Sequence, residues 1–66
     1  MQIQLNGEVF HLLDNRTVCD LITELGLKGK RLAVECNGEV IMRGEYANCV
    51  LAEGDCVELV QAIGGG

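Results

Sequence analysis

Apolar and polar positions alternate at the start of the chain, with Met1, Ile3 and Leu5 set against Gln2 and Gln4, the period-two pattern of a strand with one buried face. Asn6-Gly7 follows and predicts a two-residue type I′ hairpin, because both residues of that turn take positive φ. The turn sets the register. Leu5 should face Glu8, Ile3 Phe10 and Met1 Leu12, which puts Phe10 and Leu12 on the core face and Val9, His11 and Leu13 on the other. Helical periodicity then begins. Val18, Leu21, Ile22 and Leu25 fall at i, i+3, i+4 and i+7 and make one apolar stripe. Thr17 as N-cap, Asp20 at the third helical position and Gly26 as the left-handed stop predict a helix of about two and a half turns.

Leu27-Lys28-Gly29-Lys30 returns the chain to a strand from Arg31 to Cys36, with Leu32 and Val34 inward. Asn37-Gly38 repeats the hairpin signal and pairs this strand with Glu39 to Met42. Arg43 to Ala52 has no sustained period and predicts a loop with a single helical turn, anchored by Tyr46 and by Val50 or Leu51. Glu53-Gly54-Asp55 is a turn, and Cys56 to Ile63 forms the last strand, Val57 and Leu59 facing the helix and Glu58 facing away. The order ββαβββ leaves the helix one sheet face to cover, which is an α+β two-layer roll with the first and last strands side by side. The chain divides into a domain over residues 1–63 and a glycine tail, Gly64, Gly65 and Gly66, whose residues lose more freedom on ordering than any others. Ala62 to Gly66, fully extended, reach about 18 Å, far enough to enter a cleft in another protein.

Length and charge narrow the function. Sixty-six residues make one minimal domain, with little core to hollow into a drug-sized cavity. Neither a phosphate-binding P-loop nor a catalytic triad is present, so the chain is not expected to be an enzyme or to bind ATP itself. Ten acidic against five scattered basic residues give a formal charge of −5, which disfavours nucleic acid and favours a protein partner with a basic face. Apolar runs are too short for a membrane span and the N-terminus lacks a signal peptide, so a cytoplasmic location is expected. Cys19, Cys36, Cys49 and Cys56 show neither the CxxC spacing of a zinc site nor the pattern of an iron–sulfur cluster, and no metal is expected. They are mostly small apolar fillers, with Cys49 the candidate for an exposed thiol. His11, the lone imidazole, has no catalytic companion; Lys28, Lys30 and Arg31 form either a solvated loop or a small docking patch.

With these elements in place, the chain resembles the β-grasp, ubiquitin-like sulfur carriers of the ThiS group over nearly its whole length. The resemblance lies in Met1-Gln2-Ile3, in Val34-Glu35-Cys36-Asn37-Gly38-Glu39, in Glu53-Gly54-Asp55, in Val57-Glu58-Leu59-Val60 and in the final Gly65-Gly66. It departs at Met42, where family members often carry proline before the arginine that is here Arg43. The resemblance implies that a ThiF-like adenylyltransferase uses ATP to join AMP to the Gly66 carboxylate. Sulfur from a cysteine persulfide, supplied by a donor such as a cysteine desulfurase, then displaces AMP and leaves a thiocarboxylate. The sulfur passes to a ThiG-like thiazole synthase of thiamine biosynthesis. Gly64 and Gly65 would thread into partner sites, and Val9, His11, Val60 and Ile63 are expected to dock partners. Alternative readings are the small subunit of molybdopterin synthase and a non-catalytic ubiquitin-like interaction module.

Overall fold

Two asparagine–glycine turns and one capped helix set the architecture. The computed structural model describes residues 1–62; the expected boundary between domain and tail, with Ile63, Gly64, Gly65 and Gly66, lies outside them. The elements are β1 (Gln2–Leu5), β2 (Glu8–His11), α1 (Val18–Glu24), β3 (Leu32–Cys36), β4 (Glu39–Ile41), a 3₁₀ turn (Arg43–Glu45) and β5 (Cys56–Gln61). This is the expected ββαβββ order. The five strands form one mixed sheet in the order β2-β1-β5-β3-β4, with β5 parallel to β1 and antiparallel to β3. It is a β-grasp fold.

The turn chemistry carries the register. Asn6 and Gly7 have φ of 51° and 83°, and Asn37 and Gly38 have 53° and 84°, the left-handed pair that a type I′ hairpin requires. Ile3 therefore faces Phe10, and Leu5 faces Glu8. Across the second hairpin Cys36 faces Glu39 and Val34 faces Ile41. One parity of each strand then points at the helix. The core consists of Ile3, Leu12, Val18, Leu21, Ile22, Val34, Leu51, Val57 and Leu59, with Phe10, Leu25, Leu32 and Tyr46 packed around it. Of the two candidate anchors in the long loop, Leu51 is buried and Val50 exposed. Thr17 bridges Val50, and that pairing turns the next side chain, Leu51, inward.

Strand lengths depart slightly from expectation. β5 is described over Cys56–Gln61, with Gln61 opposite Leu32, where β3 begins; the expected end at Ile63 lies outside the described residues. Past that pair the Ala62 N–H donates to the Arg31 carbonyl. The helix is also shorter than expected, its C-cap at Leu25 and the following Gly26 at φ 75°.

Thr17 and Asp20 close a reciprocal capping box: the Asp20 N–H donates to Thr17 Oγ1 at 3.1 Å, and the Thr17 N–H donates to Asp20 Oδ2 at 2.9 Å. The bond from the Thr17 backbone, followed by that from its hydroxyl, holds the Asp20 carboxyl below the usual carboxylate range. Thr17→Ala is expected to cost about 1 kcal/mol of stability, measured by urea denaturation. A carboxyl depressed in the folded state stabilises above its unfolded pKa and loses that contribution as pH falls through the folded value. Asp20→Asn should accordingly lower the urea midpoint at neutral pH and differ less from the parent in acid.

Met42 departs from the family pattern in composition and not in shape. It caps the 3₁₀ turn at φ −76° and ψ 150°, within the range that a proline ring imposes. Its carbonyl accepts from the Glu45 N–H, whereas its own N–H makes no backbone bond among the described residues outside the ladders. Met42→Pro is therefore expected to raise stability by about 0.4–1 kcal/mol through the unfolded chain, seen as a higher urea midpoint with an unchanged slope.

Candidate functional site

The last strand is the element that leads toward the glycines, and the structure fixes it from both sides with side chains as well as ladders. β1 stops at Leu5 because the chain turns there, yet its ladder with β5 continues through a side-chain amide. The Asn6 N–H donates to the Val57 carbonyl, the Leu59 N–H donates to Asn6 Oδ1 at 2.8 Å, and Asn6 Nδ2 donates to the Leu59 carbonyl at 3.1 Å. Asn37 does the same at the other end of the strand. Its N–H donates to the Cys56 carbonyl at 2.7 Å, its Oδ1 accepts from the Cys56 N–H at 2.9 Å, and its Nδ2 donates to Asp55 Oδ1 at 3.0 Å. Each turn asparagine thus serves twice, by adopting positive φ and by holding β5. Periodicity identifies only the first of these roles; the second depends on the two turns lying beside the same strand.

The face of the sheet opposite the helix carries three of the expected docking residues, Val9, His11 and Val60, at separate places, and Ile63 lies outside the described residues. Val9 and His11 are exposed on the edge strand β2, opposite Gln4 and Gln2. Val60 is exposed on β5 and faces Ala33 on β3. It stands beyond the point where β1 ends, so the structure does not bring it together with Val9 and His11. Its companions are Ala33, Val40 and Met42, which sequence analysis did not select. The signal was present in the outward parity of Val40 and Met42, but only the strand order places them across β3 from Val60.

The thiols are arranged differently from expectation. All four are free, with Cys19 and Cys56 exposed and Cys49 half-buried. Cys49 is drawn inward because its carbonyl accepts from the first helical N–H, that of Val18, and its own N–H donates to Glu45. Burial, and then the neighbouring Asp55 carboxylate, push the Cys36 thiol up to about 11, so it stays protonated and unreactive at neutral pH. Among the described residues no group of three or more His, Cys, Asp or Glu is placed to hold a metal, and no helix is long and apolar enough to cross a membrane. A concavity of about 330 Å³ among the described residues is an open groove along β4 lined by Glu39 to Met42, Glu45 and Cys49.

Against this geometry, the model of the ThiS family matches residues 3–66 of the chain. The chain belongs to the ThiS family. Among relatives, the sulfur carrier protein ThiS of Bacillus subtilis is 37% identical over 65 residues, covering 97% of this chain and 98% of that protein. A thiazole synthase of Magnetococcus marinus is 42% identical over 66 residues, which is 100% of this chain but 20% of that protein; the chain therefore spans about a fifth of that relative's length. Among solved structures, the thiamine biosynthesis protein ThiS from Geobacter metallireducens superposes with a TM-score of 0.84 at 29% identity, covering 100% of both chains. Membership of the ThiS family gives β5 its importance, because the family match runs through this strand to the glycines.

Proposed function

We propose that this ThiS-family chain is a sulfur carrier for thiazole formation in thiamine biosynthesis, with Gly66 as the residue that bears the sulfur. The observation that carries the reading is a family match that extends through Gly64, Gly65 and Gly66. Relatives named as sulfur carriers and as thiazole synthases support it. With Gly66 as last residue, its α-carboxyl has an ordinary pKa near 3.5 and is ionised at neutral pH, a poor electrophile. A ThiF-like adenylyltransferase joins it to AMP from ATP, releasing pyrophosphate and giving a mixed anhydride with a good leaving group. The terminal sulfur of a cysteine persulfide, formed by a donor such as a cysteine desulfurase, attacks the acyl carbon, expels AMP and leaves an acyl disulfide. A second thiol supplies the two electrons that cleave this S–S bond. It becomes a disulfide with the donor cysteine, and the carrier keeps the thiocarboxylate. A ThiG-like thiazole synthase then receives the sulfur.

Gly64 and Gly65 lack a Cβ, so a narrow partner channel can close on their backbone. Val9, His11, Val60 and Ile63 are the proposed docking residues, with residues 1–63 acting as the body and 64–66 as the tail. The four free thiols support a reducing, cytoplasmic setting. The decisive measurement is the intact mass of the chain after incubation with the adenylyltransferase, ATP and the sulfur donor. Exchange of one oxygen for sulfur at Gly66 is the expected product, and an unchanged mass with an active enzyme set would remove the reading.

A further inference from the structure

The outer sheet face holds a cross-strand pair of carboxylates beside an apolar patch. Glu35 on β3 lies directly opposite Glu58 on β5, and Val40 on β4 lies on the other side of Glu35. In the next row Val60 faces Ala33, and the register of the second hairpin, continued one step, sets Met42 beside Ala33. Val40, Met42 and Val60 are 67%, 66% and 63% exposed. These large exposed apolar side chains flank Ala33 of β3 from its two neighbouring sides, and together they mark an interaction surface.

Like charges directly across a strand pair destabilise the sheet. Here nothing offsets them: among the described residues the ion pair formed is that of the Met1 amino group with Asp14. The nearest cation along β3, Arg31, stands four residues from Glu35, about 13 Å at strand spacing and beyond the screening length at physiological salt. A second copy of the chain would bring the same two carboxylates against themselves, so self-association does not suit the patch.

We propose that this part of the outer face docks a protein surface presenting an arginine or lysine framed by apolar side chains, with Glu35 and Glu58 receiving the cation together. An arginine fits best, because its planar fork can bond both carboxylates. The inference rests on the sulfur-carrier reading, and of that reading's partners it takes the adenylyltransferase as the occupant.

The test compares wild type, E35Q/E58Q and the charge-matched control E8Q/E24Q for affinity to the adenylyltransferase at low and high salt, together with melting midpoints and intact mass. E35Q/E58Q is expected to bind on the order of tenfold more weakly, with a flatter salt dependence, while melting about 1–4 °C higher as the repulsion is removed. The control should bind as wild type does. Normal acylation of the wild type with unchanged affinity of E35Q/E58Q would overturn the inference alone. Equal weakening by the control, or a wild-type dimer formed through this face, would overturn it as well. An active adenylyltransferase that neither binds nor acylates the wild type would overturn the parent reading and this inference together.

Discussion

Removal of Gly65 and Gly66 is expected to abolish formation of the thiocarboxylate while leaving the melting midpoint unchanged. The effect on loading is all-or-none because, in the proposed function, the reacting atom is the carboxyl carbon of Gly66. On that proposal a carboxylate two residues short falls about 7 Å from the partner's nucleotide, and even an ångström of misplacement can cost on the order of a hundredfold in rate. The fold is unaffected for an independent reason: every core residue among those described lies between Ile3 and Leu59. Intact mass and thermal melting on the same sample check both halves. A truncated chain that still acquires sulfur would refute Gly66 as the acceptor. A truncated chain that unfolds would show that the glycines have a structural role.

Leu21→Ala is expected to have the largest effect on stability. Leu21 is fully buried at the centre of the helix stripe, and alanine preserves helix propensity, so the substitution isolates packing. Loss of a buried leucine side chain costs about 2–5 kcal/mol. A domain of 66 residues has only about 3–10 kcal/mol to lose. The urea midpoint should fall by roughly half with an unchanged slope, and some of the chain should be unfolded at physiological temperature. Leu13→Ala serves as the control, because Leu13 is exposed on the chain beyond β2 and should change stability by less than about 0.5 kcal/mol. A small effect at Leu21 would mean that the helix is docked by other contacts than the stripe.

The elements legible in the sequence were those with strong local causes. Asn-Gly turns admit one hairpin geometry, so the pairings of Ile3 with Phe10 and of Cys36 with Glu39 followed from spacing alone. The Thr17–Asp20 box and the stripe from Val18 to Leu25 located the helix for the same reason. What stayed hidden required strands far apart in the chain to be neighbours. The pairing of Gln61 depends on where β3 begins, and the inward turn of Cys49 depends on its bond to Val18. The facing of Glu35 and Glu58 depends on β5 entering beside β3, and the bonds of Asn6 to Leu59 depend on β5 lying beside β1. The choice of Val9 and His11 as companions of Val60 failed to anticipate their separation on the same grounds. All three have outward parity, but parity carries no information on position along the sheet.

The parallel arrangement of β1 and β5 also determines how the molecule bears a load. Gln4 stands beside Cys56 and Leu5 beside Val57, so the two strands run the same way, and Gln2 and Ala62 are found at opposite ends of the sheet. When a partner grips the carboxyl end and draws on it, the pull runs along β5. It is resisted sideways by the β3 ladder, the β1 ladder and the two asparagine clasps at once, rather than being passed to one bond after another as in unzipping. Each fresh rung shares the strain with its neighbours, so under the proposed function the chain should slide out of a partner's channel whole before the tug can peel its last strand away.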